Sequence, residues 1–146
     1  MSYGLVHTLH LLLAFVFIGA VFFEVLILES ARTRVPKESM RAIQQGIMQR
    51  ARRLMPPVVL FIFISGGYMA WLHLGGLESL FQTSFSTLLT LKIAIAISVL
   101  IHFICAMSLS LRNRMTSFRF KFIHLSVFCH MVLIVLLAKG MFYITW

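Results

Sequence analysis

The chain has 146 residues, of which 60% are hydrophobic and 12% charged, and this excludes a water-soluble globular domain, where about a quarter of residues are charged. The net charge of +9 does not point to nucleic acid, because eleven of the thirteen Lys and Arg fall in two short connecting stretches. No basic tail or aromatic stacking platform lies outside them, and lipid is the solvent this composition suits.

The first apolar run covers residues 4–28 and is interrupted only by His7, His10 and Glu24. No Lys or Arg precedes it, unlike a cleaved signal peptide, so the segment is expected to be retained as a span. The first basic stretch follows, with Arg32, Arg34, Lys37, Arg41, Arg50, Arg52 and Arg53. Within it, Met40, Ile43, Ile47, Ala51 and Leu54 recur at helical spacing opposite Arg41, Gln45, Gln49 and Arg52, which predicts an amphipathic surface helix over residues 39–54. The second span is expected over 55–74, with Pro56 and Pro57 at its start, where a missing N–H is tolerated. An outer loop, 75–86, carries Glu78 and no cation. The third span is expected over 87–111. The second basic stretch (Arg112, Arg114, Arg119 and Lys121) and a fourth span over 122–143 complete the chain.

Runs of about 20 apolar residues close their backbone hydrogen bonds as helices in lipid. The expected fold is therefore all-α: one integral membrane four-helix bundle. Its basic loops would face the cytoplasm and both termini the non-cytoplasmic side, most simply in a bacterial cytoplasmic (inner) membrane. No internal repeat stands out. Gly66 with Ala70, and Ala94 with Ser98, let helices approach closely and leave a homo-oligomer open.

Ionisable groups inside a span are costly and become functional candidates by default. Interfacial roles account for His7, His73, His124 and Lys139, near the span ends. Glu24, toward the cytoplasmic end of the first span, must be protonated, paired or near water. His10 and Lys92 fall in the outer thirds of their spans. His102 and His130 fall at nearly one depth, somewhat inward of the midplane. Two imidazoles at one level on separate helices can serve as axial ligands of a haem in a four-helix bundle, so His10, His102 and His130 are candidate metal ligands. A structural role for each histidine, bonding to a neighbouring helix, is the alternative. A copper-only reading uses His102 and Cys105, which share a helix face, with Cys129 or His130, since such soft ligands suit Cu(I).

Several stretches resemble the HemJ-type protoporphyrinogen oxidases and the related CopD-like copper-resistance domains. They are His10-Leu-Leu-Leu-Ala-Phe-Val-Phe-Ile-Gly19 in the first span and Arg52-Arg53-Leu-Met-Pro-Pro-Val-Val with Ser65-Gly66-Gly67 at the second. Leu91-Lys92 through His102 in the third and Leu-Leu-Ala-Lys139-Gly-Met-Phe142 at the end complete the likeness. The resemblance implies a haem-b membrane protein with His10 as ligand, Lys92 needed for activity, and electrons passed toward quinone or another membrane redox partner. The sequence departs from the oxidases where they carry Asn-Glu-x-Pro, reading Phe122-Ile-His124-Leu125, and where they carry a first-helix arginine, reading Phe-Phe-Glu24-Val. A relative that keeps the cofactor without the reaction accounts for both. The expected function is thus a haem-b redox protein with Lys92 and Glu24 as candidate catalytic groups. Lys92 would also bind the cofactor through a propionate, and His102 with His130 would make a second bis-imidazole site. Copper handling of the CopD kind, or an accessory subunit of a membrane complex, are the other expectations.

Overall fold

The computed structural model describes residues 2–76 and 79–145, and within them all regular structure is helical. Helix α1 (Tyr3–Phe22) runs into a π-helical segment (Phe23–Leu28) and a short α2 (Glu29–Ala31); α3 (Lys37–Leu74), α4 (Ser84–Leu111) and α5 (Ser117–Gly140) follow. Four stretches are long and apolar enough to cross a membrane: Tyr3–Ala31, Lys37–Leu74, Ser84–Leu111 and Phe118–Gly140. The chain is a multi-pass membrane protein. Glu78, expected in an outer loop, lies outside the described residues.

The expected surface helix and second span are one element. Residues 39–54 do not form a separate helix; they are the polar half of α3, and Pro56 and Pro57 lie inside it rather than at its start. The physical reason is that two adjacent prolines remove only the donors that would reach the carbonyls of Arg52 and Arg53, while both flanks keep complete ladders. Such gaps are tolerated in spanning helices when other groups satisfy the freed carbonyls. At 1.5 Å per residue, 38 residues reach about 57 Å, nearly twice the roughly 30 Å hydrocarbon thickness. Only part of α3 can therefore be in lipid, and the apolar C-terminal half suits that place.

Local chemistry fixes the other boundaries. Thr83 caps α4 by accepting from the Ser86 N–H at 3.1 Å, while Ser86 Oγ accepts from the Thr83 N–H at 3.0 Å, a reciprocal capping box. At the other end Asn113 adopts a left-handed conformation, φ 53°. Its N–H donates to the Ser110 carbonyl and that of Arg114 to the Leu109 carbonyl, closing the helix with both bonds of a Schellman motif. Thr116 then caps α5. This short, basic connection makes α4 and α5 a helical hairpin.

By its contacts the chain divides into two units, Met1–Ser65 and Gly66–Trp146, with the boundary inside α3. In the first, Val6, Phe17, Val21, Leu28, Met40, Val58 and Val59 are buried; in the second, Leu89, Val99, Val127 and Met131. Large apolar side chains such as Phe15 (74% exposed) and Leu136 (62%) stand outward. In water that surface would be untenable, and in lipid it is ordinary.

Candidate functional site: two histidine arrangements

In the first unit, His10 of α1 is half-buried and turned to α3. Its Nδ1 lies 3.2 Å from the Ile62 carbonyl oxygen and 2.9 Å from Ser65 Oγ. A carbonyl can only accept, so Nδ1 carries the proton and donates, and the lone pair resides on Nε2. Ser65 is itself buried, and its hydroxyl is directed back at the Phe61 and Ile62 carbonyls at 2.6 and 3.1 Å. It therefore offers its lone pairs to His10. An imidazole whose Nδ1–H is tied to a carbonyl and whose Nε2 keeps its lone pair has the tautomer and orientation of a metal-ligating histidine.

In the second unit, His102 of α4 and His130 of α5 come together, with ring centroids 5.3 Å apart and planes at 51°. Each Nδ1 donates to a carbonyl of its own helix: His102 to Ser98 at 2.8 Å and His130 to Ser126 at 2.7 Å. Each Nε2 accepts from a serine of the other helix: Ser126 Oγ donates to His102 and Ser98 Oγ to His130, both at 3.0 Å. Position 98 thus faces 130 and 102 faces 126, the register of an antiparallel pair. Neither serine stood out as a site residue in the sequence. The signal that could have found them is a repeated pentad, Ser98-Val-Leu-Ile-His102 and Ser126-Val-Phe-Cys-His130.

A porphyrin shared by His102 and His130 would have to lie between the two rings. Seryl hydroxyls bond directly across that space, so the pair as placed does not fit the expected bis-imidazole haem site. His10, whose Nδ1 is already tied down, is the residue that would hold a haem iron.

Lys92, half-buried on α4, has no ion-pair or hydrogen-bond partner among the described residues. Glu24 is half-buried in the π-helical segment, where a widened turn interrupts the α-helical ladder, as such turns do at many functional sites. Cys105 and Cys129 are free and exposed, and no group of three or more His, Cys, Asp or Glu able to hold a metal occurs among the described residues. Of the remaining histidines, the ring of His73 lies 5.9 Å from that of Phe85. His73 and His124 donate through Nδ1 to the Met69 and Phe120 carbonyls one turn back, both at 2.8 Å. His7 is exposed and stacked on Tyr3.

In comparisons with known proteins, no family model, no curated protein and no solved structure matches the chain.

Proposed function

We propose that this multi-pass membrane protein binds haem b through His10 and has a redox role, in electron transfer or porphyrinogen oxidation. The observation that carries the reading is the fixed Nδ1–H of His10 against the Ile62 carbonyl and Ser65 hydroxyl, which leaves the ring in the tautomer that ligates metals through Nε2. Haem b, when bound, would supply a one-electron couple. The chain's own groups do the rest: Ser65 and Ile62 orient the ligand, and the apolar spans exclude water. Lys92 supplies a positive charge suited to a carboxylate, and Glu24 is a carboxylate inside the first span. The likeness of the first and third spans to HemJ-type oxidases supports the same reading. A pyridine haemochrome assay on detergent-purified protein tests it, with haem b expected. Copper without porphyrin would instead favour the CopD-like reading.

The proposal includes an orientation in which both basic connections face the cytoplasm of a bacterial cell and both termini face away, since Lys and Arg flanking the spans set topology. A periplasm-active reporter fused after Tyr143 is expected to be active and one fused after Asn113 silent. The reverse pattern would invert the arrangement.

A further inference from the structure

We infer that His102, His130, Ser98 and Ser126 form a crossed interhelical clasp that fixes the register of α4 against α5, and that any haem in this protein is ligated without them. The second clause rests on the haem reading; the first does not. A neutral imidazole has one donor and one acceptor. In both rings the two are used, the donor on a carbonyl of its own helix and the acceptor on a serine of the other. Ligation through either Nε2 would require breaking one of the crossed bonds.

The arrangement is self-complementary because the motif is repeated. Each serine contributes its carbonyl to the histidine one turn ahead on its own helix and its hydroxyl to the histidine opposite. A serine hydroxyl in a helix ordinarily returns to a carbonyl of its own preceding turn; here both hydroxyls reach across. Sliding one helix by a turn would set His102 against His130 in one direction, or Ser98 against Ser126 in the other, and in either case both cross-bonds would be lost. Val99 and Val127, the second residues of the two pentads, are 4% and 6% exposed, so the same turns supply close apolar packing. Without a hydrophobic driving force between helices in lipid, packing and such hydrogen bonds are what specify a helix pair.

The test uses the full-length protein in detergent micelles with 15N-labelled histidine. Alanine at 98 or 126 keeps the backbone carbonyl and removes only the hydroxyl. Ser98→Ala is therefore expected to shift the Nε2 resonance of His130 and spare His102, and Ser126→Ala to do the converse. Each should lower the folding equilibrium about three- to twentyfold, the range that interhelical hydrogen bonds in membrane proteins span. The paired variant Ser98→Ala with His130→Ala should cost less than the two changes summed. The variant His102→Ala with His130→Ala should melt earlier yet keep the wild-type haemochrome content per folded protein. Shifts confined to the histidine on the same helix, or no shift, would overturn the clasp. Loss of haem from folded His102→Ala/His130→Ala protein would overturn the second clause. Wild-type protein lacking haem would defeat the proposed function while the crossed shifts still decide the clasp.

Discussion

His10→Ala is expected to leave less than about a tenth of the wild-type haem on the purified protein. Removing even a residue that only orients a ligating histidine typically weakens metal binding by about 10- to 100-fold, and here the ligand itself is removed. His10 also ties α1 to α3, so a structural loss must be separated from a chemical one. His10→Asn does this, because its amide can still hydrogen-bond toward Ser65 but offers no imidazole to iron. Haem content should fall in both variants, whereas thermal stability should fall mainly in the alanine variant. Interhelical bonds of this kind contribute about 0.6 kcal/mol on average in membranes, with a maximum of about 1.7. Ser65→Ala should be intermediate, retaining haem with lowered affinity. Full haem content in His10→Asn would remove His10 from the site.

Lys92→Met is expected to stabilise the protein while abolishing redox turnover. A lysine at the centre of a spanning helix costs about 2.5–3.5 kcal/mol on insertion scales, and Lys92, in the outer third of its span, bears a smaller share of that cost. Lys92 is half-buried with no partner among the described residues to offset that cost. Methionine has a similar stem without the charge, so most of the penalty should be recovered as a higher melting temperature in detergent. A group retained at such a cost is expected to serve an anionic ligand, and turnover with a carboxylate-bearing substrate should fall sharply. Lower stability in Lys92→Met would instead show that the ammonium is a structural element.

Much of the fold was legible because lipid permits so few solutions: an apolar run of the right length must be a helix. The four spans followed from that alone. Where the sequence misled, the missing information was about continuity or pairing. Pro56 and Pro57 mark the start of apolar composition in α3 but not the start of the helix, because proline removes a donor without forcing the chain to end. The π-helical turn at Phe23–Leu28 depends on how the ladder is bonded and has no signature in composition. His10 was visible as an imidazole in lipid, but its tautomer required knowing that Ile62 and Ser65 lie opposite. Counting along the helices puts His102 and His130 at one depth, and their rings lie 5.3 Å apart. The serines that complete them were passed over because a single hydroxyl barely alters hydropathy, and a pentad with three identities in an apolar background does not announce a repeat.

The reduced-minus-oxidised absorption spectrum of the purified wild-type protein tests the central claim most directly. The account predicts a Soret band and α and β bands of b-type haem, with a haemochrome count that falls away in His10→Ala. A featureless difference spectrum from protein purified with haem supplied during expression would contradict it, leaving a membrane protein whose histidines serve only to join its helices.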